Sequence, residues 1–189
     1  GQVEKGRYDL GLQNYRAALA TYEKVGAQAE LLEALHDSAR LHLLLGDSAS
    51  AESDFRRALD MARSIGLDRG ITQNLIALGD LELRRQRPEA AVALYEHARQ
   101  RAAAAGVEHA LALSQLRLAR VNRSQQRVAP ASAQTDESLA IARKIGAPGL
   151  EAEALYSRAA LARLQKRFDL AVENYQAAES AQARIGDPD

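Results

Sequence analysis

The sequence predicts an all-α solenoid of antiparallel helix hairpins wound into a right-handed superhelix, and three observations lead there. An apolar-Gly pair returns every 40 residues, at Val25-Gly26, Ile65-Gly66, Ala105-Gly106, Ile145-Gly146 and Ile185-Gly186. A second break falls between these pairs at the same interval, at Gly6-Arg7, Gly46-Asp47, Gln86-Arg87, Gln126-Arg127 and Lys166-Arg167. Finally, 47% of residues are hydrophobic but only 4% aromatic, because Ala and Leu carry the apolar load. That mixture suits closely packed helices and suits sheets poorly.

Two breaks per repeat give two helices per repeat, predicted over 7–25, 28–45, 48–64, 68–85, 88–104, 108–125, 128–144, 148–165 and 168–185. Residues 1–5 read as the tail of an earlier helix, so 1–26 is a partial repeat followed by complete repeats at 27–66, 67–106, 107–146 and 147–186. All belong to one array domain over 1–189, expected to be a fragment of a longer chain. The periodic glycines belong just past the end of each second helix, where a left-handed backbone costs glycine nothing. Pro88 and Pro148 mark helix starts, since a first-turn proline forfeits no intrahelical hydrogen bond, and Pro130 is tolerated near a start for the same reason.

Overlaying the repeats on one another reveals columns that stay small: Gly11, Ala51, Ala91, Ala131, Ala171; Ala39, Gly79, Ala119, Ala159; and Ala18, Ala58, Ala98, Ser138, Ala178. Small side chains at fixed helical spacing let backbones approach, while Tyr15, Phe55, Tyr95 and Tyr175 supply a recurring ring between hairpins. Leu35, Leu75 and Leu155, with Leu41, Leu81, Val121 and Leu161, complete the apolar faces. The fourth repeat departs from the pattern, carrying Gln115 and Thr135 where its siblings have Leu and a ring. Its local packing is expected to be looser or more polar. At the array ends Tyr15, Leu19, Tyr22, Tyr175 and Ile185 are expected to be under-covered, which invites self-association.

The pattern Ala-x-x-x-[Phe/Tyr]-x-x-Ala, seen at 51–58, 91–98 and 171–178, resembles the second-helix signature of tetratricopeptide repeats, and the resemblance covers essentially the whole chain. With its 40-residue spacing the array is similar to the Leu-Gly-Asn polarity adaptors and to the repeats of bacterial multidomain regulators and CHAT-type proteases. This implies a non-catalytic scaffold that takes a protein or peptide in a concave groove or, alternatively, a regulatory sensor region of a larger bacterial signalling protein such as a transcription activator or a CHAT-type protease. The adaptors' peptide-binding asparagines are replaced here by Asp37 and Arg40, Ala77 and Asp80, Arg117 and Arg120, and Ser157 and Ala160, so their ligand is not inherited.

Composition narrows the function further. The chain has 25 basic and 25 acidic residues, so no global field draws it to nucleic acid or a membrane surface, and its lack of Cys excludes disulfides and thiolate metal sites. The first thirty residues lack the apolar run of a signal peptide, and a cytoplasmic location is expected. His36, His42, His97 and His109 include no pair four residues apart, so no metal is expected. There is no phosphate loop or nucleophile elbow, so neither a cofactor nor a catalytic residue is assigned.

What remains are the first-helix columns where the repeats disagree, which the resemblance places on the concave face. Packing makes structural columns repeat, whereas a ligand-facing column is free to vary. The expected partner-binding residues are Glu33, His36, Asp37, Arg40, Gln73, Ile76, Asp80, Leu113, Leu116, Arg117, Arg120, Arg123, Tyr156 and Arg163. Arg117, Arg120, Arg123 and Arg127 are expected to form one basic helical stripe, since no acid lies between Glu108 and Asp136. With Arg163 it would grip an acidic segment of a partner, Leu113, Leu116 and Tyr156 adding apolar contact. The competing reading is a basic face whose salt partners come from elsewhere in the chain.

Overall fold

The computed structural model describes residues 2–185, which form nine helices and no strand. They are α1 (Gln2–Val25), α2 (Gln28–Leu44), α3 (Ser48–Ser64), α4 (Asp68–Arg84), α5 (Pro88–Ala105), α6 (Glu108–Ser124), α7 (Val128–Lys144), α8 (Pro148–Leu164) and α9 (Phe168–Ala183). From α2 to α9 these match the expected spans to within two residues at each end. Pro88 and Pro148 open their helices, and Pro130 is the third residue of α7.

The glycine period has the predicted backbone cause. Gly26, Gly46, Gly66, Gly106 and Gly146 all have positive φ, while Gly186 lies outside the described residues. After α2, the amide of Gly46 donates to the carbonyl of Leu43 and that of Asp47 to His42, at 3.2 and 2.9 Å. This paired closure satisfies carbonyls that the helix end leaves open. The same two bonds recur after α4, α6 and α8, where the left-handed residue is Gln86, Gln126 or Lys166, each near φ 60°. Asp47 also caps α3 through Oδ1, which accepts from the amide of Ser50 at 3.0 Å. Hydrogen bonding to the Ser50 side chain first, and to its amide second, holds the Asp47 carboxyl below the usual range.

The expected break at Gly6-Arg7 is not there, because α1 runs unbroken from Gln2. One interior glycine costs a helix only about 1 kcal/mol, too little by itself to end it. Residues 2–5 therefore continue α1 instead of forming the tail of a separate helix.

By its packing the chain divides into two compact units, Gly1–Arg87 with α1 to α4 and Pro88–Asp189 with α5 to α9. In each unit consecutive helices pack together, and in the second the first helices of successive hairpins, α6 and α8, also touch. The small columns lie in the seams: Ala39, Ala51 and Ala58 in the first unit and Ala91, Ala119, Ala131, Ala159 and Ala178 in the second are fully buried. Phe55 and Tyr95 are buried beside them. A Cβ added to Gly11 would lie 3.0 Å from Leu41 Cδ2, which explains glycine in that column. At the ends Tyr15, Leu19, Tyr22 and Tyr175 are half-buried, whereas Ile185 is exposed with Phe168 and Val172. Among the described residues no helix is long and apolar enough to cross a membrane, and no three His, Cys, Asp or Glu side chains cluster to hold a metal ion.

Candidate functional site

In the first unit a pocket of about 330 Å³ opens between the early turns of α2 and α4. Glu33, His36, Asp37 and Gln73, all expected to meet a partner, line it together with Leu32 and Arg69. Gly70 brings the two helices into register: a Cβ there would come within 3.0 Å of Ala62 Cβ and 3.1 Å of Leu32 Cδ1, so the first turn of α4 seats closely on α2 and α3.

His36 is only 8% exposed, its ring tilted against Phe55 with centroids 5.3 Å apart. Asn74 Nδ2 donates to the carbonyl of Gly70 at 2.9 Å, which turns Asn74 Oδ1 toward His36 Nδ1, 3.1 Å away. Nδ1 therefore carries the proton and donates, and the neutral imidazole keeps Nε2 as an acceptor. Burial lowers the His36 pKa, outweighing the bond to Asn74 and the nearby Asp37 carboxylate. Asp37 also faces Tyr15 of α1, whose hydroxyl pKa is raised by burial first and by this carboxylate second. Sequence reasoning missed Asn74, a fully buried polar residue on α4 that follows the polar Thr72 and Gln73 and so carried no signal of burial. It also missed the ion cluster in which Arg85 binds Glu52 at 2.5 Å and Glu82 at 3.0 Å, drawing the Glu52 pKa down.

Of the remaining expected residues in this unit, Arg40 is exposed and Asp80 half-buried. Ile76 is buried, only 4% exposed. The expectation that it lies open toward a partner is corrected: one residue on from the Leu75 column, its side chain still falls within the helix packing.

The second unit holds the arginines. Leu116 is buried in a core with Leu139, Leu150 and Leu155 and is corrected in the same way, while Leu113 packs half-buried at its edge. Arg117 is half-buried and bound to Glu153 of α8. Arg120 is exposed and Arg123 half-buried. Arg127 leaves the expected stripe, since α6 ends at Ser124 and Arg127 is the N-cap of α7, where it binds Gln125. A salt partner from elsewhere in the chain thus exists for Arg117, as the competing reading required. On α8, Tyr156 is 42% exposed and tilted against Tyr175 with ring centroids 6.0 Å apart. Arg163 donates to the Tyr175 hydroxyl at 3.4 Å, which raises its pKa.

The fourth repeat is more polar inside, as its sequence predicted. Gln115 is buried and its Nε2 donates to Glu137 at 2.6 Å, but its Oε1 and the Ser138 hydroxyl are buried without a partner. Thr135, fully buried, shares a hydrogen bond with Ser157 at 3.1 Å.

Comparison with known proteins agrees with this architecture. A family model described as tetratricopeptide repeat matches residues 2–64. Over those residues the chain matches the tetratricopeptide-repeat family, and the hairpin array continues beyond them. Its fold is similar over 100% of its length to BtubC from P. vanneervenii, at 18% identity and a TM-score of 0.76, covering 79% of that chain. It is also similar to a Rap protein complexed with competence and sporulation factor, at 18% identity and a TM-score of 0.81, with 98% of this chain matching 52% of that one. A putative kinesin light chain from Podosopora anserina with nearly identical repeats matches at 16% identity and a TM-score of 0.67, over 97% and 90% of the two chains. No curated protein is significantly similar to it in sequence.

Proposed function

We propose that this array is a non-catalytic scaffold that binds a protein or peptide along its first-helix columns. The observation that carries this is the first-unit pocket, lined by four of the residues that varied between repeats. Glu33 and Asp37 carboxylates, the Gln73 amide and the neutral His36 ring offer acceptors for peptide amides. A Rap protein of similar fold is complexed with competence and sporulation factor, which supports a groove of this kind.

In the second unit Arg120 and Arg123 on α6, with Tyr156 and Arg163 on α8, suit an acidic segment, whose carboxylates would compete with Glu153 for Arg117. The test is a random-peptide library selected on the full chain. Enriched peptides should lose at least about tenfold in affinity with Glu33→Ala and Gln73→Ala together, and acidic ones with Arg120→Glu and Arg123→Glu. Unchanged affinity in both double variants, with helicity intact, would refute the scaffold reading. A sensor region within a larger bacterial signalling protein is favoured by the Rap likeness, since this chain matches about half of that one. Reading the gene on either side for a catalytic or DNA-binding domain decides it.

A further inference from the structure

At 135 the array lacks the ring that its siblings carry, and the space has not closed. Phe55 and Tyr95 at the matching positions are only 1% and 0% exposed. Thr135 is equally buried but far smaller, and beside it a cleft of about 190 Å³ opens to solvent between α7, α8 and the start of α9. Protein interiors are close-packed, and an apolar cavity of about 150 Å³ suffices to hold a benzene ring. The vacancy has the size of a single aromatic ring.

Its lining specifies more than size. Leu161 and Leu170 give it apolar walls, and the Thr135 hydroxyl is already engaged by Ser157. The charged groups on it are Asp136, Arg158 and Arg167. Asp136 and Arg158 face each other at 3.4 Å and offset one another. Arg167 has no carboxylate partner among the described residues, so the pocket carries one uncompensated positive charge. Arg167 is also the N-cap of α9, where no side chain caps the helix, so the first-turn amides face this end together with the Asp169 carboxylate of the same turn.

We propose that this pocket is a binding site for a small aromatic carboxylate, its ring occupying the place of the missing side chain and its carboxylate paired with Arg167. The site is independent of the peptide columns on α2 and α4. A guanidinium grips a carboxylate by two parallel hydrogen bonds, which a neutral analogue cannot match.

The experiment titrates the full chain with 4-fluorobenzoate and with 4-fluorobenzyl alcohol, following fluorine resonances by NMR. The acid should bind saturably, with Kd roughly millimolar for so small a ligand. Thr135→Phe, which restores the sibling ring, should abolish binding of both probes and raise the melting temperature. Arg167→Gln, at an exposed position, should weaken the acid at least about fivefold and leave the alcohol unchanged. If Thr135→Phe does not fold, the Arg167→Gln comparison alone decides. Absence of saturable binding to the native chain, survival of binding in a folded Thr135→Phe, or equal loss of acid and alcohol in Arg167→Gln would each overturn the proposal.

Discussion

Hairpins α2–α3 and α6–α7 are built to one plan and filled differently. All four helices have 17 residues, both hairpins turn on the same pair of backbone hydrogen bonds, and both bury alanine in the seam at Ala39 with Ala51 and at Ala119 with Ala131. Inside, α2–α3 sets Leu35 and Phe55 with Ala58, whereas α6–α7 sets Gln115 and Thr135 with Ser138. Backbone closure and close approach of helices therefore define the hairpin, while the large side chains between them tolerate replacement by polar groups and a void. This is the division expected of a repeat array, where each unit needs only its neighbours.

The strongest way to break the comparison is to carve the α6–α7 interior into α2–α3. Phe55→Thr should cost about 3–5 kcal/mol in chemical denaturation, because a ring is lost from a filled site. A cost below about 1 kcal/mol would show that the ring does not hold the first hairpin together. Next, Ala51→Leu and Ala131→Leu should each cost about 1–3 kcal/mol by overpacking the seam, whereas leucine at the exposed Ala133 should change stability by under about 0.5 kcal/mol. If Ala131→Leu were tolerated, the seam of α6–α7 would be as loose as its filling.

A third variant sharpens the polar side of the contrast. Gln115→Leu with Ser138→Ala removes both unpartnered buried oxygens and should raise stability by about 1 kcal/mol, read from the denaturation midpoint. At the turns, Gln126→Gly should gain about 0.5–1 kcal/mol and Gly46→Gln should lose a similar amount, since both positions are left-handed. The smallest effect concerns pH. His36 stands in α2 where α6 has Leu116, and its folded pKa lies below the unfolded value of 6.5. Its contribution is complete above that pH and is lost as pH falls through the folded pKa, because the unfolded chain takes up a proton that the folded one refuses. The melting temperature should fall between pH 7.5 and 5.5 in the native chain and stay level in His36→Leu.

The backbone plan was legible in the sequence because it is enforced at single positions: a left-handed closure every 40 residues leaves a glycine that composition cannot disguise. The intervening closures were legible only as polar breaks. Gln86, Gln126 and Lys166 adopt the same left-handed backbone without the residue that announces it. The site was harder to read for two physical reasons. Variation between repeats was taken as exposure, yet Ile76 and Leu116 vary while buried, since leucine and isoleucine fill similar volumes. The bond from Arg117 to Glu153 joins residues 36 apart, a distance at which sequence charge patterns along one helix carry no information. Glu33, Asp37 and Gln73 were found because they are exposed on the columns that vary. The polar interior of the fourth repeat was visible for the opposite reason: the columns at 115 and 135 otherwise hardly vary.

The alanine seams have a calorimetric consequence. Alanine surrenders no rotamer freedom when buried, so the helix contacts at Ala39, Ala51, Ala91, Ala119, Ala131 and Ala159 cost little side-chain entropy to form. Alanine also hides little hydrocarbon per residue, and the heat capacity of unfolding follows the hydrocarbon exposed. This array should therefore unfold with a heat-capacity increment below the usual range of about 12–15 cal/mol/K per residue. Its stability curve against temperature is correspondingly shallow, falling slowly on both cooling and warming from its maximum.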